Sequence, residues 1–121
     1  VTFRRKYGEI TPYVTKDGSL IRELMHPNMN PSLRQSVAEA TVPIGSETIL
    51  HRHLKSDEIY HVLEGDGRMS LGGEEFDVTD GDTIYIPSGT PHRIRNTGSI
   101  PLRIFCFSCP AYTDEDTEVV T

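Results

Sequence analysis

Four side chains in this 121-residue chain have the types and spacing to meet around one ion: His51 and His53 separated by one residue, Glu58 five positions on, and His92 far downstream. On a strand, residues two apart project from the same face, so His51 and His53 can turn both imidazoles to one point without distorting the backbone. Glu58, at the start of the next run, can bring an anionic oxygen beside them. His92 follows Pro87-Ser-Gly-Thr-Pro91, a turn able to return a distant strand to the same place. Imidazole and carboxylate together suit first-row divalent metals. A single imidazole in a strand is more often a polar surface or hydrogen-bonded core residue, so the residues alone leave both readings open. His26 and His61 take the structural one. His26 lies in irregular sequence, and His61 has the opposite parity to Glu58.

The elements that must position these groups are short strands. Ten glycines and eight prolines punctuate alternating runs, the pattern of an all-β sandwich or barrel. Strands are expected over 34–42, 47–53, 58–63, 83–86, 91–95 and 102–108. Between them, Arg68 to Val78 reads as a hairpin about Gly72-Gly73, with Met69, Leu71, Phe76 and Val78 inward. Parity also turns Ile49, Tyr60, Val62, Ile94, Leu102, Ile104 and Cys106 inward, and Arg52, Arg93, Arg95 and Arg103 outward. In the run 34–42, Ser36, Ala38 and Ala40 share one face and Val37, Glu39 and Thr41 the other. Residues 1–33 are expected as an N-terminal extension and dimer-contact segment, 34–112 as the domain, and 113–121 as an acidic, mobile tail. Leu20 to Met25 fits a strand or a helical turn.

Composition excludes several classes of function. Twelve basic against eighteen acidic residues give a net charge of -6, the wrong sign for neutralising the phosphates of a duplex, so no nucleic-acid partner is expected. No run approaches the ~20 apolar residues of a membrane span, and no apolar stretch follows the first charged residues, so a soluble, cytoplasmic protein without a membrane partner is expected. Cys106 and Cys109 have CxxC spacing but sit on a strand, where residues three apart face opposite ways. They are read as structural and not as a redox pair.

The spacing of the candidate ligands resembles the cupin superfamily. Its first motif reads Gly45, five residues, His51, one residue, His53, four residues, Glu58, six residues, Gly65. Its second reads Gly81, five residues, Pro87, one residue, Gly89, two residues, His92, three residues, Asn96. The resemblance implies a double-stranded β-helix, or jelly-roll barrel, holding a divalent transition metal (Mn, Fe, Ni, Zn, Co or Cu) on His51, His53, Glu58 and His92. Asn96 fits a turn-closing role. The later part of the chain is also similar, more weakly, to cupins of the mannose-6-phosphate isomerase type.

Three neutral imidazoles, one carboxylate and a divalent ion sum to about +1, two positive charges minus one, which favours a small anionic or metal-chelating partner. Tyr60 is the candidate polar group beside the metal, and Glu39 a candidate general base if its face of the strand is the inward one. Isomerase or lyase chemistry on a carbohydrate-derived substrate is the first reading. The same ligand set also serves a dioxygenase, a decarboxylase or a non-catalytic metabolite-binding module in the family. The apolar residues Val14, Leu20, Ile21 and Leu24 lead to the expectation that the N-terminal segment crosses onto a second copy in a homodimer.

Overall fold

The computed structural model describes residues 3–121, so the first two residues of the expected N-terminal extension lie outside it. Among the described residues eleven strands form, joined by turns, with a single 3₁₀ turn at Tyr7–Glu9. They are β1 (Tyr13–Val14), β2 (Leu20–Met25), β3 (Ser36–Val42), β4 (His51–His53), β5 (Asp57–Glu64), β6 (Gly67–Leu71), β7 (Glu74–Val78), β8 (Thr83–Ile86), β9 (His92–Asn96), β10 (Leu102–Cys109) and β11 (Thr117–Val119). Two antiparallel sheets result, ordered β1-β2-β3-β10-β5-β8 and β11-β4-β9-β6-β7, the jelly-roll arrangement of an all-β barrel. No helix among the described residues is long and apolar enough to cross a membrane.

Alternation fills the space between the sheets. Val62, Met69, Ile86, Ile94, Leu102 and Ile104 are buried there, each two residues from another inward position on its strand. The β6–β7 hairpin turns at Gly72-Gly73 with Met69 opposite Phe76, as the alternation predicts. Asn96 closes the following turn, its amide donating to the carbonyls of Val42 and Ile100 while its oxygen accepts from Gly98 N–H. Gly65 cannot carry a side chain: its φ is +106°, and a Cβ would lie 3.0 Å from Leu102 Cα, a backbone atom that cannot swing aside.

Two expectations are corrected, and one left open is decided. Ile49 is not inward but 48% exposed, because β4 spans only three residues and position 49 belongs to the approach loop, where strand parity does not apply. The C-terminal acidic segment is not simply a tail in solvent. Thr117–Val119 pairs with β4, and Asp116 accepts from the backbone N–H groups of Lys55 and Ser56. Leu20–Met25 is a strand, and it pairs with β3 of its own chain.

Glu39 is also misplaced by the general-base reading. Ala38 and Ala40 face the barrel interior, so Glu39 faces the other way, across from Arg22 on β2. Its carboxylate accepts from Tyr7 Oη at 2.5 Å and Arg103 Nη2 at 2.6 Å, with Arg22 at 3.6 Å and itself stacked over the Tyr7 ring. Burial pushes the carboxyl up, but the bonds from Tyr7 and Arg103 outweigh it and hold Glu39 below the usual carboxylate range. A group held low contributes stability that is fully present above its unfolded value and is lost as pH falls through its folded value. Glu39→Gln is therefore expected to lower unfolding free energy at neutral pH by about 2 kcal/mol. The gap from wild type should close as pH drops below the carboxylate range, as read by urea titrations across pH. A gap that persists unchanged at low pH contradicts the assignment.

Candidate metal centre

The six-stranded sheet supplies Glu58, and the five-stranded sheet supplies all three histidines, so the site bridges the barrel interior. On β4, alternation turns His51 and His53 inward and Arg52 outward. His92 arrives by pairing: it stands directly across from His51 on β9, and the two rings lie 4.2 Å apart. The backbone N–H of Gly89 donates to the carbonyl of His53 at 2.6 Å, which fixes the loop before β9 to β4. Glu58, on β5, receives Ser108 Oγ–H at 3.4 Å from the neighbouring strand. Exposure of the four residues runs from 0% at His92 to 5% at Glu58. One donor atom from each falls within 4.8 Å of the other three.

The remaining ring nitrogens define the tautomers. His51 Nδ1 lies 2.7 Å from the carbonyl of Ile49, and His92 Nδ1 lies 2.9 Å from that of Thr90. A carbonyl only accepts, so both Nδ1 atoms carry protons. His53 Nδ1 meets Thr117 Oγ1 at 3.0 Å, and that hydroxyl gives its one proton to the carbonyl of Thr113 at 2.9 Å. It must therefore accept from His53. All three neutral rings consequently present Nε2 as a bare lone pair to the centre.

These lone pairs face one another. His53 Nε2 is 2.6 Å and His92 Nε2 3.2 Å from Glu58 Oε1, and all three atoms are buried without a satisfactory hydrogen-bond partner. Electron pairs at such distances repel unless positive charge lies between them. A proton can take that role. Burial opposes ionisation of Glu58, but the imidazoles of His53 and His92 draw its carboxyl down to about 2. Burial would lower His53, yet Glu58 raises it, whereas burial and the neighbouring His92 hold His51 below the ordinary imidazole value. A divalent ion meets all four donors at once, and three imidazoles with one carboxylate are the donor set that first-row metals take. The residues present fit such an ion.

Tyr60 lies in the pocket wall, its ring edge-on to His92 at 5.9 Å, and burial raises its phenol well above the ordinary value, so the hydroxyl stays protonated. Cys106 shares that wall, while Cys109 is exposed on the other face, and both thiols are free. His61 faces out and meets Thr83 Oγ1. His26 accepts from Asn28 N–H at Nδ1 and donates to the carbonyl of Tyr112, a structural clasp.

Four contributors escape the motif reading. Asp17 places Oδ2 at 3.5 Å from His51 Nε2, Thr117 orients His53, Tyr112 packs edge-on to His53 at 5.7 Å, and Glu23 lines the same pocket. The signal for the first and last was present: Tyr13, Thr15, Asp17, Ser19, Ile21 and Glu23 alternate, and all six face the pocket.

Comparison with known proteins agrees with this geometry. The family model described as "Cupin domain" matches residues 38–108. The uncharacterised protein MJ1618 of Methanocaldococcus jannaschii is 56% identical over 97% of this chain and 94% of its own length. An oxalate-binding protein of Thermotoga maritima is 34% identical over 69% of this chain and 64% of its own. The mannose-1-phosphate guanylyltransferase of Klebsiella pneumoniae is 30% identical over 69% of this chain, which spans only 18% of that protein. Among solved structures, a predicted oxalate decarboxylase of Thermotoga maritima superposes with a TM-score of 0.77 at 26% identity, covering 87% of this chain and 96% of that one.

The threonine behind His53 provides a test of the donor set. Thr117→Val keeps the volume but leaves His53 Nδ1–H without its acceptor, so affinity for Zn²⁺ or Mn²⁺ should fall about 10- to 100-fold in chelator competition. Unchanged affinity would show that His53 does not ligate through Nε2.

Proposed function

This chain belongs to the cupin domain family, and from that premise we propose that it is a metal-dependent enzyme of isomerase or lyase type, acting on a small, metal-chelating, carbohydrate-derived molecule. The observation that carries the reading is the meeting of three bare imidazole nitrogens and one carboxylate oxygen in a buried pocket with acidic and hydroxyl groups in its wall. His51, His53, Glu58 and His92 would hold a divalent ion, which when bound would supply Lewis acidity for polarising a carbonyl or hydroxyl oxygen of the substrate.

The chain's own residues then bind, orient and move protons. Val42, Ile21, Ile94 and Ile104 form an apolar wall that orders a small ligand and limits water. Tyr60, held protonated by burial, is a neutral hydrogen-bond donor to an oxygen of the substrate. Glu23 is the group suited to hold and release a proton. Burial raises its carboxyl, the hydrogen bond from Tyr13 only partly offsets this, and Oε1 is buried without a partner while Oε2 accepts from Tyr13.

A second reading is a decarboxylase or binding module for a small dicarboxylate. In its favour stand the similarities to an oxalate-binding protein and a predicted oxalate decarboxylase. Against it, no lysine or arginine lines the pocket among the described residues. The deciding experiment loads the protein with Mn²⁺, Fe²⁺ or Zn²⁺ in D₂O and follows aldoses and hydroxyketones by NMR. The proposal expects deuterium at the carbon beside the carbonyl, with the rate lowered at least about 100-fold in Glu23→Gln at unchanged metal content. Carbon dioxide release or oxygen uptake without exchange favours the decarboxylase or the dioxygenase. Ligand-dependent melting shifts without turnover favour a binding module.

We also propose that two copies pair. The outer face of the six-stranded sheet exposes Ile59 and Tyr85 beside the edge-to-face pair Phe105 and Phe107, an apolar patch on a small domain. Sedimentation at micromolar concentration should give twice the chain mass, and Phe107→Asp should halve it. A single-chain mass for the wild type removes the dimer from the proposal.

A further inference from the structure

We infer that Asp17 sets the charge of the metal pocket and thereby selects hydroxyl-bearing ligands without net negative charge over dianions. The inference rests on the reading of the site as a divalent-metal centre and deepens it by naming the ligand class.

Asp17 sits at the turn joining β1 and β2, on a hairpin outside the residues that match the family model. Its side chain is held by its own turn. Oδ1 accepts from Thr15 Oγ1 at 2.6 Å, from Ser19 N–H at 2.9 Å and from Ser19 Oγ at 2.6 Å. With Oδ1 saturated, Oδ2 points to the pocket, 3.5 Å from His51 Nε2. The backbone carbonyl of Asp17 also accepts from Ile49 N–H at 2.7 Å, and the carbonyl of Ile49 is the group that holds His51 Nδ1. Ile49 therefore ties down the hairpin turn through its N–H and orients His51 through its carbonyl, which couples the backbone position of Asp17 to that of the imidazole.

Asp17 stands beside the four-donor set and not within it, since the group of donors mutually within 4.8 Å comprises His51, His53, Glu58 and His92. It acts on the pocket through charge. The divalent ion brings two positive charges, and the carboxylates of Glu58 and Asp17 bring two negative ones, so the centre sums to zero. Glu23 adds a further acidic group to the same wall, and no cationic side chain lines it among the described residues. In a buried site such charges are little screened by salt. A dicarboxylate entering this pocket brings negative charge to a centre with no excess positive charge to receive it. A neutral diol or hydroxyketone can chelate through its oxygens and donate a hydroxyl proton to Asp17 Oδ2 in a hydrogen bond.

The test compares wild type with Asp17→Asn, which keeps the Oδ1 acceptor, removes the charge and replaces the pocket-facing Oδ2 acceptor with an amide donor. Both are loaded with Mn²⁺, and Mn²⁺, oxalate and dihydroxyacetone are titrated by calorimetry. The inference expects Mn²⁺ affinity within tenfold of wild type, oxalate binding at least tenfold tighter in Asp17→Asn, and dihydroxyacetone binding unchanged or weaker. Oxalate affinity equal in the two proteins overturns it. A loss of Mn²⁺ affinity of a hundredfold or more also overturns it, because Asp17 would then be a ligand. Should the variant fail to fold by circular dichroism, Asp17→Ser in the same titrations takes its place, with tighter oxalate binding expected and no change overturning the inference. Wild type that takes up no Mn²⁺ or Zn²⁺ sinks the metal reading itself, whereas metal uptake with charge-blind oxalate binding sinks only the role of Asp17.

Discussion

Lone pairs that face one another in a buried space repel, and this fold places four of them at one point. Water is excluded from them: the four residues are almost wholly inaccessible, and Nε2 of His53 and His92 and Oε1 of Glu58 are without proper partners. Leaving a buried polar atom unpaired costs about 1–3 kcal/mol, so three of them together take a large share of a small domain's net stability. Positive charge at the centre relieves that cost. The surrounding structure works against relaxation of that demand. Each Nδ1 is committed to an acceptor, so no ring can rotate to bring an N–H to the centre without abandoning a bond made by the loop before β4, the loop before β9 or β11. The strain is held across two sheets, which also means that a bound ion would clamp them together.

How much of this is legible from sequence depends on whether a residue obeys strand parity. His51, His53, Tyr60, Val62, Ile94, Leu102, Ile104 and the Gly72-Gly73 hairpin all lie in regular strands, and their directions follow from alternation alone. Ile49 fails because the expected strand 47–53 is continuous on paper but interrupted in fact, leaving only an isolated bridge at Glu47 before β4. Glu39 is ambiguous on paper because alanine is small enough for either face. The deciding contacts, with Arg103 on β10 and Tyr7 in the N-terminal segment, are long-range. The acidic residues 114–118 carry the composition of a solvated tail, and their charge hides the Thr117–Val119 alternation that joins β4. The family resemblance locates the four donors but is silent on the hairpin, where Asp17 and Glu23 sit.

That silence has a physical basis. The donor cluster is fixed by strands whose registers cannot slip without turning every inward side chain outward. Further groups in and behind the pocket wall come from segments at the barrel's edge: the β1–β2 hairpin, and the C-terminal stretch that brings Tyr112 and Thr117. These segments meet each other as well as the site. Lys16 Nζ donates to the carbonyls of Asp114 and Thr117, and His26 donates to that of Tyr112. The two ends of the chain thus close over one side of the metal centre, each held by the other.

Such a division separates affinity for the ion from choice of ligand. A change in β4, β5 or β9 alters the donors themselves and is felt by any ligand that chelates. A change in the hairpin alters charge and hydrogen bonding around an intact centre, and so favours one ligand at the expense of another. The charge sum makes the point concrete: the motif residues with a divalent ion leave a centre of about +1, and a single carboxylate from outside the motif returns it to zero. On the proposed reading, the four donors set what the pocket can polarise, and residues 13–23 set what charge can come close enough to be polarised.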